Sequence, residues 1–99
     1  MMIIKTIYKL HPRVSCDEYL HELEKKLISE SSRDTDGNLM YEFFLSPDDI
    51  RSVILMSVWE KKEDYLNYKA TDGFLTLSGI EKRMVREKEV IALEEEASC

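Results

Sequence analysis

Glycine, proline, cysteine and histidine are all scarce in this chain: three, two, two and two among 99 residues. So little glycine and proline excludes collagen-like and linker-like chains. Cys16 and Cys99 cannot form a disulfide framework, and one bridge to the last residue would be a poor staple; two free thiols in a reducing cytosol are expected. Basic residues are in deficit, 14 against 20 acidic, for a formal charge of −6 and a pI near 4.9. That balance argues against nucleic acid as a partner, since phosphates are met by clustered Lys and Arg. No apolar run approaches the roughly 18–20 residues of a membrane span. The N-terminal stretch carries Lys5 and Lys9 and has no cleavage site, which argues against a signal peptide. The expectation is a cytoplasmic protein with no membrane contact.

What is present is an ordinary apolar share, 43%, beside 34% charged residues, in a length suited to one compact domain. Ile3, Ile4, Thr6 and Ile7 favour a strand that His11-Pro12 ends. Ser15-Cys16-Asp17-Glu18 reads as a capping box, with Val14 and Tyr19 at the positions of a hydrophobic staple. Cys16, Tyr19, Leu20, Leu23 and Leu27 then recur at helical steps, which predicts a helix over residues 16–31 with His21 turned outward. Asp36-Gly37-Asn38 supplies turn chemistry.

Residues 39–45 and 53–59 are strand-like, and Ser46-Pro47-Asp48-Asp49 joins them as a hairpin. Leu39, Tyr41, Phe43, Leu45, Val53, Leu55 and Trp59 fall on one face, and Met40, Phe44, Ile54, Met56 and Val58 on the other. Both faces of the sheet are therefore apolar. About two helices can cover only one, so the second face is expected to meet another subunit. Residues 60–70 read as a short helix, Thr71 as the cap of a further turn ending near Gly79, and residues 83–93 as a last strand. The order is β-α-β-β-α-β, an α+β, ferredoxin-like arrangement over residues 1–93, with an acidic tail over 94–99.

Several chemistries lack their signatures. There is no glycine-rich phosphate loop and no serine in a nucleophile elbow. His11 and His21, with Cys16 between them, have no recognised ligand spacing, so no metal site is expected.

The segment Gly37-Asn38-Leu39-Met40-Tyr41-Glu42-Phe43-Phe44, then Ser46-Pro47-Asp48-Asp49, then Val58-Trp59-Glu60, resembles the antibiotic biosynthesis monooxygenase (ABM) domain, with Thr71 and Phe74 also in register. The resemblance spans roughly residues 3–80. It implies a dimeric α/β barrel of two ferredoxin-like protomers, packed sheet to sheet, each with a pocket between sheet and helices. Relatives include quinol and polyketide monooxygenases that need no metal or flavin, haem-degrading enzymes and an isomerase-like branch. Trp59 matches a pocket tryptophan of catalytic members. Where many members carry a histidine on the second helix, this chain has Tyr68, and the asparagine of the haem-degrading branch is missing from Lys5-Thr6-Ile7-Tyr8. Haem degradation is therefore not expected.

The resemblance thus implies a homodimeric monooxygenase of a small aromatic or quinol-like molecule, working without a cofactor. Trp59 and Tyr68 are the candidate catalytic residues; Tyr8, Tyr65, Phe43 and Phe74 are candidates for binding substrate. Aromatic residues at such spacings also build ordinary cores. The alternative is a non-catalytic dimer that binds a small ligand or a protein partner. An open cavity with convergent polar groups favours the enzyme, and one filled by Phe43, Leu55 and Trp59 favours the alternative. No residue presents itself as the general base.

Overall fold

Alternation decides which side of each strand is buried. In the computed structural model, which describes residues 1–94, the first strand, β1 (Met2–Leu10), buries Met2, Ile4, Thr6, Tyr8 and Leu10 and leaves the residues between them half-exposed. β2 (Asn38–Leu45) and β3 (Ser52–Trp59) form the expected hairpin, and β4 (Val85–Glu94) closes the sheet. The strand order is β2-β3-β1-β4 with every neighbour antiparallel. Register places Met2 beside Trp59, Ile4 beside Ser57, Thr6 beside Leu55 and Tyr8 beside Val53. This is the ferredoxin-like arrangement. The acidic tail expected from residue 94 lies outside the described residues from 95 onward, as does Cys99, while the backbone of Glu94 belongs to β4.

All the helices cover the inner face. α1 (Cys16–Lys25) begins with the capping box: Glu18 N–H donates to Ser15 Oγ at 3.1 Å and Ser15 N–H to a Glu18 carboxylate oxygen at 3.3 Å. It buries Tyr19 and Leu23, and His21 is exposed as expected. The helix predicted over residues 16–31 is not continuous. Leu27 adopts a left-handed conformation (φ 56°), breaks the helix, and starts α2 (Ile28–Arg33) in a new direction. Leu27 is consequently 59% exposed rather than part of the apolar stripe. The redirected α2 buries Ile28 and Ser32 and runs two residues beyond the predicted end at 31.

Gly37, with φ 82°, turns the chain from α2 into β2, and its carbonyl accepts from Glu60 N–H at 2.7 Å. A Cβ at this position would overlap the carboxyl of Asp64, so backbone conformation and close approach both require glycine. α3 (Lys62–Tyr68) and α4 (Asp72–Met84) follow, the latter capped by Thr71 Oγ1, which accepts from Phe74 N–H. α4 does not stop near Gly79. That glycine is exposed with open space around it, so it costs about 1 kcal/mol of helix propensity without ending the helix.

The core joins both sets of elements: Ile4, Tyr8, Leu10, Tyr41, Val53 and Trp59 from the sheet meet Tyr19, Leu23, Ile28, Tyr68, Leu77 and Ile80 from the helices. Among the described residues no helix covers the outer face, where Ile3, Ile7, Ile54, Met56 and Val58 are only half-buried and Phe44 is exposed.

Leu27 provides the test of the helix break. A left-handed conformation costs an L-residue of this kind about 1–2 kcal/mol, and asparagine tolerates it better. Leu27→Asn is expected to raise stability by roughly 0.5 kcal/mol, and Leu27→Val, whose branched Cβ suits that region worst, to lower it by about 1 kcal/mol. Urea denaturation measures both, and equal midpoints for all three proteins would show that no strain resides there.

Candidate active site

Between the inner face of the sheet and α3 and α4 lies a cavity of about 300 Å³. It exists because the central strands carry small polar residues where bulky ones would fill the core. Thr6 on β1 and Ser57 on β3 are 5% and 3% exposed, at inward positions otherwise held by residues such as Ile4, Leu55 and Trp59. Ile4, Leu55, Leu77, Phe74 and Val90 make the apolar part of the wall. The polar part is Thr6, Ser57, Tyr8, Tyr41, Tyr65, Tyr68, Lys69, Glu81 and Lys88.

Tyr68 is fixed most firmly. Its hydroxyl lies 2.8 Å from Ser32 Oγ and 2.8 Å from Tyr41 Oη, in buried contacts where either atom of each pair can donate. Three hydroxyl hydrogens serve these two bonds, so one is left for a further acceptor. The Tyr68 ring is held by Trp59 at 4.9 Å between centroids, Phe74 at 5.4 Å and Tyr41 at 5.8 Å. Tyr65 packs on Trp59 at 5.9 Å and carries the Lys69 ammonium 5.0 Å over its ring. Tyr8, from β1, meets Tyr19 of α1 at 5.6 Å.

Of the residues expected at the site, the cavity brings together Tyr8, Tyr65, Tyr68 and Phe74. Trp59 is fully buried behind Tyr65 and Tyr68, outside the wall, and its indole N–H has no hydrogen-bond partner among the described residues. Phe43 faces inward but stands apart from the cavity, against Tyr41 at 5.7 Å and beside Leu20 and Leu23 of α1. Sequence reasoning missed Thr6, Ser57, Tyr41, Glu81 and Lys88. Thr6 and Ser57 were detectable as hydroxyls at the buried phase of two central strands. Glu81 was hidden by ending α4 at Gly79.

Glu81 follows Phe74 and Leu77 at helical steps of three and four, which turns it toward the cavity. Its side chain is 11% exposed and accepts from Lys88 Nζ at 3.0 Å. Lys88 is paired with Tyr8 across β4 and β1. The phenols therefore surround a carboxylate. Burial, reinforced by the charges of Tyr19 and Glu81, pushes Tyr8 well above the ordinary tyrosine range. Burial also raises Tyr19, Tyr41, Tyr65 and Tyr68, although the bonds from Ser32 and Tyr41 partly offset the rise at Tyr68. At neutral pH these hydroxyls donate hydrogen bonds and do not act as bases. Among the described residues, no three His, Cys, Asp or Glu side chains gather as a ligand set for a metal ion.

Similar folds are found among solved structures. Protein PA3566 of Pseudomonas aeruginosa superposes with a TM-score of 0.79 at 17% identity, over 97% of this chain and 94% of its own. A variant of SnoaB, a cofactor-independent oxygenase from Streptomyces nogalater, gives 0.79 at 12% identity, over 98% and 94%. Protein SO0527 of Shewanella oneidensis gives 0.78 at 14% identity, over 92% and 86%. Identities this low speak for the fold alone. No curated protein matches the chain. The family model for antibiotic biosynthesis monooxygenase matches residues 3–78, and with that match over most of its length, on the fold those relatives share, the chain belongs to the antibiotic biosynthesis monooxygenase family.

Proposed function

We propose that this protein is a monooxygenase of a small aromatic or quinol-like substrate, acting as a homodimer and drawing its electrons from the substrate rather than from a bound cofactor. The observation that carries this reading is the cavity beside Tyr68, apolar on one side and lined on the other by hydroxyls from β1, β2, β3 and α3. A dry apolar hole of roughly 150 Å³ holds benzene, so about 300 Å³ suits one or two fused rings. An open, polar-lined cavity supports the enzyme reading over a structural role, in which Phe43, Leu55 and Trp59 would fill the core.

The chemistry follows from the wall. A hydroquinone or phenol gives up a proton, and the resulting oxyanion is stabilised by hydroxyl donors fixed before the reaction. The electron-rich anion then reduces O2. One oxygen enters the ring, the other leaves as water, and the substrate supplies all four electrons: hydroquinone and O2 give hydroxybenzoquinone and water. Tyr68 is the leading donor: when its oxygen accepts from both Ser32 and Tyr41, its own hydrogen is free for the substrate. Tyr8 and Tyr65 present further hydroxyls, Phe74 supports the ring of Tyr68, and Trp59 acts from behind as a positioning residue. Phe43 would influence substrate only through Tyr41.

The outer sheet face supports the dimer. Ile3, Ile7, Ile54, Met56, Val58 and Phe44 form an apolar surface that no described helix of the protomer covers. A second copy of the same face is self-complementary about a two-fold axis.

Three outcomes are expected. O2 uptake with a panel of hydroquinones should exceed the uncatalysed rate; Tyr68→Phe should lower kcat by about a hundredfold, and Trp59→Phe should lower it less. Rates equal to the enzyme-free control across the panel would remove the oxygenase reading for these substrates. In sedimentation velocity at micromolar concentration the wild type should run as a dimer and Ile54→Glu as a monomer; a monomeric wild type would contradict the argument from the uncovered face. Finally, all five tyrosines are held above their ordinary value, so folding keeps them protonated while an unfolded chain ionises them near pH 10. Stability should be unaffected below about pH 9 and fall as pH rises past 10, with tyrosinate absorbance appearing only as the protein unfolds. A gradual titration of the folded protein near pH 10 would show that the phenols are not so protected.

A further inference from the structure

The oxygenase reading needs a proton acceptor, and the phenols, held protonated, cannot be one. From the geometry we infer that Glu81 is the general base of the site, and that Lys88 positions its carboxylate over the bound substrate. This rests on the cavity admitting a phenol or enol, but not on O2 being the second reactant. The other titratable groups of the cavity wall are of another kind: Tyr8 from β1, Tyr41 from β2, Tyr65, Tyr68 and Lys69 from α3, and Lys88 from β4. β3 offers only Leu55 and Ser57, and Tyr19 of α1 stands behind Tyr8. Among the cavity-lining residues Glu81 alone carries a carboxylate. Its helical phase, with Phe74 and Leu77, directs it inward. Lys88 Nζ donates to one carboxylate oxygen at 3.0 Å and the Tyr8 hydroxyl stands beside the carboxylate, whose four lone pairs leave acceptor capacity for a substrate.

In the proposed step the substrate O–H bond breaks. Its electron pair stays on the substrate oxygen, which accepts from a tyrosine hydroxyl, and the proton passes to the Glu81 carboxylate. The Lys88 ammonium, 3.0 Å away, holds the carboxylate in position throughout. A carboxylate base beside fixed hydroxyl donors matches any substrate in which a hydroxyl or an acidic C–H sits next to a stabilised anion. The substrate class is therefore phenols and enols. The second reactant is decided elsewhere.

Binding of 4-nitrophenol, whose ionised form absorbs in the visible, tests the base without turnover. Wild type should favour the neutral phenol, because Glu81 repels a phenolate. Glu81→Gln mimics the carboxyl after proton transfer, so it should bind the phenolate at least tenfold more tightly and lower the apparent pKa of the bound phenol. Lys88→Met leaves the base in place but removes its cation; it should move the acid limb of any pH–rate profile to higher pH, and it serves if Glu81→Gln fails to fold. An equal apparent pKa of bound nitrophenol in wild type and Glu81→Gln would overturn the assignment, as would absence of binding to both. An unmoved acid limb in Lys88→Met would overturn it too. Nitrophenol behaving as expected without O2 uptake would retain Glu81 and remove the oxygenase, whereas O2 uptake undiminished by Glu81→Gln would remove Glu81 alone.

Discussion

The hydroxyl bridge Ser32–Tyr68–Tyr41 ties three elements to one buried point. α2 and β2 also meet through Arg33, whose Nε donates to the Tyr41 carbonyl at 3.1 Å and whose guanidinium pairs with Glu42 at 3.2 Å. But each of the three elements, α2, α3 and β2, reaches the bridge through a different feature of the chain. Ser32 arrives because Leu27 turns left-handed and redirects the second half of the predicted helix. Tyr41 arrives because the inward phase of β2 places it across from Ser57, whose small side chain leaves room for the ring. Tyr68 ends α3, immediately before the Thr71 cap that starts α4; Thr71 Oγ1–H donates back to the Tyr68 carbonyl at 2.7 Å. A polar network buried this deeply stabilises only if every member is satisfied. Removing one hydroxyl would leave the others short of a partner and loosen α3 over the cavity.

Placing all helices on one side of four strands has two consequences. It leaves Ile3, Ile7, Ile54, Met56 and Val58 on the outer face, beside charged residues such as Lys5 and Glu89, uncovered by any described helix. It also places the aromatic contacts among the described residues on the inner face. The charge deficit noted in the sequence has a local counterpart here. Lys69 and Lys88 stand at the cavity while the acidic excess is spread over exposed positions, so the few cations near the site act without competition from a basic surface. Among these, Lys69 is fixed over the Tyr65 ring and Lys88 on Glu81.

Most of the fold was legible because it rests on repeating signals. The β-branched residues of β1, the two-residue alternation in β2 and β3, the capping box at Ser15 and the turn at Gly37 are local chemistry that tertiary packing had no reason to overrule. Leu27 was not legible, since leucine is a good helix former and nothing in its type announces a left-handed residue. Gly79 misled in the opposite direction: an exposed glycine within an apolar periodicity is tolerated, and reading it as a stop severed Glu81 from its helix. The aromatic half of the site was readable from strand and helix phase. Which aromatics face empty space was not, because that depends on the side chains of other elements. Trp59 and Phe43 point inward like Tyr8 and Tyr41, yet one is walled off by Tyr68 and the other stands against α1.

The same dependence explains why the cavity persists. Leucine in place of Thr6 and valine in place of Ser57 would bury more apolar surface and fill part of the hole, and interiors normally favour such filling. The hydroxyls at these positions give up that packing and leave a concave wall beside Tyr68 and Glu81. The unpartnered indole N–H of Trp59 and hydroxyl of Tyr19 add to the cost, each a buried polar group worth about 1–3 kcal/mol when unsatisfied. Both lie directly behind a cavity-facing tyrosine, Trp59 behind Tyr68 and Tyr19 behind Tyr8. Rigid aromatic backing for the two hydroxyls is what that cost maintains. A site that must stabilise charge only as it develops needs its donors fixed in advance, and this core spends stability to fix them.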